Sequence, residues 1–223
     1  MKDIALVVFD WDGTLMDSTR AITESIQLAA RDLDLPVPSD QEASHVIGLG
    51  LHDALKLAVP SLPPSRLTEF VERYSVHYLE RDRVLRPFAG AEDLLRALKD
   101  RRIATAIATG KSRLGLNRAL DSVGWGHYFE TSRCADEGIP KPDPWMLNEL
   151  CRQMASAPGK TVMIGDTSHD LLMAKAAGVW AIAVTYGAHP MAELQRIGAA
   201  GFCDSATELR ELLLPLCVSR ATP

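Results

Sequence analysis

The chain has 223 residues, 47% hydrophobic and 24% charged, with a formal net charge of −5. That length holds one full core with room for a smaller attached domain, and the ordinary composition excludes disordered and fibrous classes. The acidic balance argues against a dedicated nucleic-acid binder, which carries a basic face, but allows a locally positive pocket for an anionic substrate.

The first apolar run, Ile4 to Phe9, is rich in β-branched residues and predicts a strand buried on both faces. It is too short for a signal-peptide core or a bilayer span, and no later stretch is long enough either. The expectation is a cytoplasmic protein with no membrane contact. Cys134, Cys151, Cys203 and Cys217 lack CxxC or zinc-ligand spacing and read as reduced, buried thiols.

Residues 17–86 read as helical. Ile22, Ile26, Ala29 and Leu33 share one helix face, capped by Ser18 or Thr19. Leu67, Phe70, Val71, Tyr74 and Tyr78 share another, capped by Ser65. Its aromatic stripe reads as local core. Pro36, Pro38, Pro60, Pro63 and Pro64 punctuate the stretch.

Strands and helices then alternate. Ala91 to Lys99 places Leu94, Leu95 and Leu98 on one face. Strands are expected at Ile103–Ala108, Thr161–Ile164 and Trp180–Val184, with weaker candidates at Tyr128–Thr131 and Gly201–Cys203. Between them lie helices opened by Ser112, by Asp143-Pro144 and by the Ser168 region, the last closed by Gly178. Ser205 to Glu208 reads as a capping box for a final helix. This order predicts an α/β fold: a Rossmann-like parallel sheet with helices on both faces, residues 1–16 and 87–223, plus an inserted α-helical cap domain, residues 17–86.

Ligands of such sheets bind at the carboxyl ends of the strands, and four polar clusters follow predicted strands. In Asp10-x-Asp12-Gly13-Thr14, one carboxylate can attack a phosphoryl group while the other protonates the leaving oxygen; a turn with two solvated aspartates is the plainer reading. Thr109-Gly110-Lys111-Ser112 offers a hydroxyl and backbone N–H groups as an anion cradle, or only a Ser-capped helix. In Lys141-Pro142-Asp143-Pro144 two prolines stiffen the backbone around a lysine that can neutralise a phosphoryl group. Gly165-Asp166-Thr167-Ser168-His169-Asp170 suits Mg²⁺, although helix capping alone accounts for Asp170.

These clusters, in this order, resemble the four motifs of the haloacid dehalogenase superfamily, and the inserted helical segment resembles that family's first type of cap. The resemblance spans essentially the whole chain. It implies a phosphatase with Asp10 as nucleophile and Asp12 as general acid and base. Thr109, Gly110 and Lys141 would hold the phosphoryl group. Asp10, the backbone carbonyl of Asp12, and Asp166 would ligate Mg²⁺, with Asp170 orienting the metal waters or Lys141. The second aspartate, Asp12, favours phosphate chemistry over dehalogenation. His45 to Leu51 is similar to the cap loop of phosphoglycolate-phosphatase-like members, which points to Gly48, Leu49 and Gly50 as substrate contacts; a helix–helix turn is the alternative. His52, Lys56, Arg81 and Arg83 either reach a carboxylate substrate or form a solvated face. His169 is expected as a polar residue at the rim of the site.

The expected partner is a small phosphorylated metabolite, handled by a monomer or homodimer. A sugar phosphomutase, a pyrophosphatase or nucleotidase, and a non-catalytic partner-binding protein are the alternatives.

Overall fold

The computed structural model describes residues 1–219; residues 220–223, assigned above to the α/β part, lie outside the described residues. In chain order the elements are β1 (Leu6–Phe9), α1 (Thr19–Asp32), α2 (Asp40–His45), α3 (Leu51–Ala58), α4 (Leu67–Asp82), α5 (Ala91–Asp100), β2 (Ala104–Thr109) and α6 (Arg113–Val123). There follow β3 (Thr131–Cys134), α7 (Trp145–Gln153), β4 (Thr161–Gly165), α8 (Ser168–Ala177), β5 (Trp180–Val184), α9 (Met191–Ile197), β6 (Gly201–Cys203) and α10 (Ala206–Leu213).

The strands form one parallel sheet in the order β3-β2-β1-β4-β5-β6. Strand residues sort by parity into two cores, because successive side chains point to opposite faces. Val7, Phe9, Ile107, Val162, Ile164, Ile182 and Val184 pack against α5, α6 and α10. Leu6, Val8, Met163 and the alanines of β2 and β5 pack against α7, α8 and α9. Each large apolar side chain buried in this way contributes about 1.5–3 kcal/mol. Continuous apolar strands are therefore what a sheet covered on both faces requires.

The order reverses direction between β1 and β4, the crevice where such sheets bind ligands. Register brings the motif ends to one rim. Phe9 lies opposite both Ile107 of β2 and Ile164 of β4, so Asp10, Thr109 and Asp166 emerge at neighbouring strand ends.

Helices α1 to α4 gather a third core around Ile26, Leu55 and Phe70. The two strands of chain that connect them to the sheet run side by side: the N–H of Asp17 donates to the carbonyl of Arg86 at 3.0 Å, and Met16 bridges to Pro87.

Several local expectations shift. The strand placed at Tyr128–Thr131 is β3, Thr131–Cys134, because Gly126–Tyr128 forms a 3-10 turn that buries Tyr128. Ser18 precedes α1 but makes no capping bond; its hydroxyl is taken by Asp12. Ser65 lies within a 3-10 turn and Arg66 precedes α4. Pro144, not Asp143, is the residue before α7, while Asp143 accepts the N–H of Trp145. Only half of the final capping box forms: Ser205 accepts from Glu208, whose carboxylate turns instead to the N–H of Asp204.

Candidate active site

Asp10 continues β1 by one residue, its N–H donating to the carbonyl of Ile164 at 2.8 Å. Its side chain is buried, with Oδ1 2.8 Å from Nζ of Lys141. That approach lacks hydrogen-bond alignment, and neither carboxylate oxygen accepts a hydrogen bond. Burial holds the Asp10 carboxyl well above the usual range; Lys141 opposes the shift, and Asp170 and Asp166 add to it.

After Asp10 the chain folds back on itself, with the N–H groups of Leu15 and Met16 both donating to the carbonyl of Trp11 at 3.0 Å. Trp11 itself points away from the rim into the core against Trp125. Gly13 permits the turn at φ 79°, and a Cβ there would overlap the Asp166 carboxylate. The same turn makes Thr14 donate its hydroxyl to Asp166 Oδ1 at 2.8 Å, while the N–H of Ala188 donates to Oδ2 at 2.7 Å. Asp166 is fully buried, and burial followed by the Asp170 charge lifts its pKa to about 7.

Lys141 links Asp10 to Asp170, whose Oδ1 accepts from Nζ at 2.7 Å. Asp170 is fixed in turn by the N–H and hydroxyl of Thr167 on its other oxygen. Burial pushes the Lys141 ammonium toward deprotonation, but Asp10 and Asp170 outweigh it and hold the pKa above the ordinary lysine value.

Ligand atoms of Asp10, Asp166 and Asp170 all lie within 4.8 Å of one another. Three carboxylates against the single positive charge of Lys141 leave a deficit of two charges in a buried pocket. A divalent, oxygen-seeking cation fits that donor set and that deficit, and Asp10 has oxygens that accept no hydrogen bond with which to meet it.

Asp12 stands apart from this group. Its Oδ1 accepts from Ser18 Oγ at 2.6 Å and lies 3.0 Å from Nζ of Lys111. Lys111 in turn donates to the hydroxyl of Tyr78 on α4 at 2.9 Å. Burial works against the Lys111 charge, but Asp12 and Tyr78 together raise its pKa above the usual value. Thr109 is buried at the end of β2 and accepts the N–H of Lys111 at 3.2 Å, which leaves its own hydroxyl proton free to donate.

The sequence does not name Lys111, Ser18 and Thr14 as site residues, although Ser18 reads as a helix cap and the other two lie within the marked clusters. The available signal was position alone: Lys111 follows Gly110 at a strand exit, beside a motif already marked. The Ala188 N–H contact carries no side-chain signal.

The Gly48–Gly50 loop lies directly over the rim. A Cβ on Gly110 would meet the carbonyl oxygens of Leu49 at 2.5 Å and Gly48 at 2.7 Å, so helical unit and sheet approach as closely as backbones can. His169 and His189 each donate Nε2–H to the carbonyl of His45 at 3.0 Å, tying the end of α2 to the sheet side. His169 is thus a half-buried contact between the two parts. Arg81 pairs with Glu24 and Lys56 lies 3.8 Å from Asp53, while His52 and Arg83 are exposed. The solvated-face reading fits His52, Lys56 and Arg83, while Arg81 is half-buried against Glu24 and the carbonyl of His77.

Sheet order and rim chemistry together define a hydrolase of the haloacid dehalogenase-like class. Residues 7–184 match the family described as haloacid dehalogenase-like hydrolase, and the chain belongs to it. A relative from Dickeya dadantii, named probable phosphatase IndB, is 34% identical over 210 residues, covering 92% of this chain and 91% of that protein. A phosphoglycolate phosphatase of Agrobacterium fabrum is 31% identical over 200 residues, covering 85% of each. Among solved structures, a predicted phosphoglycolate phosphatase from Haemophilus somnus aligns with a TM-score of 0.84 at 25% identity, over 96% of this chain and 99% of that one. The chain is a phosphatase of this family. Among the described residues, no helix is long and apolar enough to cross a membrane.

Proposed function

We propose that this enzyme hydrolyses a small phosphate monoester with the help of Mg²⁺ and passes through a phosphorylated Asp10. The observation that carries the reading is Asp10 itself: a buried carboxylate with both oxygens free of hydrogen bonds, facing a charged lysine. A structural aspartate is rarely left in that state, because a buried carboxylate balanced by an ion pair alone, without hydrogen bonds, is costly.

An Asp10 oxygen attacks phosphorus, and the bond from phosphorus to the ester oxygen breaks. The departing oxygen takes a proton from Asp12. A water then attacks the phosphorus of the acyl phosphate, giving its proton back to Asp12, and inorganic phosphate leaves with Asp10 restored. Lys141 and the Thr109 hydroxyl hold the transferring oxygens, and the N–H of Gly110 adds to that cradle. Asp10, the Asp12 carbonyl and Asp166 would hold Mg²⁺, whose positive charge lets a carboxylate approach a phosphate dianion. Asp170 fixes Lys141 from behind.

Residues 17–86 act in this reading as a cap whose Gly48–Leu49–Gly50 loop excludes water from the rim. A cytoplasmic setting is supported by the four unpaired cysteines.

The test is phosphate release from a panel of small phosphorylated metabolites, phosphoglycolate and sugar phosphates included, with Mg²⁺ or with a chelator. Mg²⁺-dependent release that disappears in Asp10→Asn supports the mechanism. Release that persists unchanged in the chelator sinks the metal's part in it.

A further inference from the structure

A cavity of about 360 Å³ opens beside Asp12, between the helical unit and the start of α6. It shares Asp12 and Gly110 with the reaction centre, and the carboxylate of Asp12 puts it on the leaving-group side. Its walls are apolar: Ile22, Ile26, Leu51 and Leu79 from the helices, and Leu114 from α6. Leu114 is 76% exposed and Leu79 41% exposed, so the apolar lining reaches the mouth.

The charged groups in the walls and the Ser75 hydroxyl are already engaged. Lys111 pairs with Asp12, Arg118 donates to Asp82 at 2.8 Å, and the Ser75 hydroxyl donates to the carbonyl of Val71 at 2.7 Å. Among the described lining residues these two are the only cations, and each already faces a carboxylate. A glycolate carboxylate or a second phosphate would have to compete there with Asp12 and Asp82 for those two cations. Tyr74 and Tyr78, stacked with ring centroids 5.8 Å apart, add aromatic surface to one side. A cavity of about 150 Å³ already holds a benzene ring, so the space here takes a ring with substituents.

Resting on the phosphatase reading, we propose that the natural ester carries a neutral, ring-bearing apolar group that fills this cavity, with its phosphate at Asp10 and its ester oxygen at Asp12. Substrate choice is then made by apolar burial next to the general acid, and the cap helices supply most of the surface.

The experiment compares two esters whose alcohols are alike in reactivity, with phosphoglycolate and pyrophosphate as anionic alternatives. For the full chain with Mg²⁺, kcat/KM is measured for 2-phenylethyl phosphate, ethyl phosphate, phosphoglycolate and pyrophosphate. The expected result is a preference for 2-phenylethyl phosphate of at least about tenfold over each of the others, the size of discrimination an apolar pocket gives. Equal values for the phenylethyl and ethyl esters, or a preference for phosphoglycolate or pyrophosphate, overturn the proposal and leave the phosphatase reading standing. If no ester releases phosphate, the phosphatase reading fails, and calorimetric binding of 3-phenylpropylphosphonate against propylphosphonate decides the cavity. About tenfold tighter binding of the phenyl compound supports its assignment, and equal or absent binding overturns it.

Discussion

Lys111 Nζ stands 3.0 Å from Asp12 Oδ1 and at the same time donates to the hydroxyl of Tyr78 on α4. The carboxylate that meets the leaving oxygen in the proposed mechanism is therefore held by a cation which itself is held by the helical unit. Ser18, just before α1, donates its hydroxyl to the same carboxylate oxygen. Both ends of the inserted segment thus bear on one side chain.

Replacing Lys111 should misplace Asp12 without touching the phosphoryl site. Lys111→Met is expected to lower kcat by about 10- to 100-fold, the usual cost of a catalytic group moved by an ångström. KM should change much less. Tyr78→Phe keeps the ring and removes only the hydroxyl, so its loss should be smaller. Steady-state kinetics on one ester settle the matter, and a Lys111→Met enzyme with full kcat would show that Asp12 needs no such support.

Asp10→Asn separates chemistry from stability. Activity should drop by more than about 10⁴-fold, since the nucleophile is gone and what remains is binding and electrostatics. Stability should move the other way. The amide removes a buried charge with no hydrogen bonds, while Lys141 keeps Asp170 as its partner. In chelator, thermal melting of the variant is expected at or above the temperature of the parent chain. A clearly lower melting temperature would mean that the Asp10–Lys141 pair holds the fold together.

The sheet was legible because its strands are apolar on both faces and its helices are marked by caps and glycines; β5 was placed residue for residue as Trp180–Val184. β3 was displaced because Thr-Ser-Arg-Cys has neither an apolar run nor alternation, and because aromatic Tyr128-Phe129 next to it looks more strand-like. The sequence also named Asp10, Lys141, Asp166 and Asp170, which the fold gathers at one rim. Chain order could not reveal that Ser18 would abandon its cap for Asp12, or that Tyr78 would reach Lys111 rather than staying in local core. Those contacts join segments far apart in sequence, and nothing periodic announces them.

Proton linkage gives a further check on the metal pocket. Asp166 has a folded pKa of about 7, against about 3.9 in an unfolded chain. Between those values the folded state holds a proton that the unfolded state has released, so the metal-free protein loses stability as pH rises from about 4 to about 7. His169 and His189, lowered mainly by burial, work in the opposite sense as pH passes their unfolded value. The difference between melts with and without Mg²⁺ cancels the histidines and leaves the carboxylates. That difference should grow from pH 5 to pH 7.5, because protons compete with the cation at the lower pH. For a chain of this size each kcal/mol corresponds to about 2–4 °C. A Mg²⁺-induced shift that stays constant or shrinks over this range would remove Asp166 from the ligand set.

Gly110→Ala tests the seating of the cap. The new Cβ would press against the carbonyls of Leu49 and Gly48 at 2.5 and 2.7 Å, and backbone cannot yield as a flexible side chain does. The sheet and the helical unit each have their own core, so the strain is relieved at least cost by the two parts moving slightly apart. Melting should change little, while kcat/KM falls by about 10- to 100-fold as Tyr78 leaves Lys111 and water enters the rim. Small-angle scattering should report a modest increase in radius of gyration. A variant that melts far below the parent, with no such expansion, would mean that the loop and β2 belong to one rigid block and that the cap does not open at this contact.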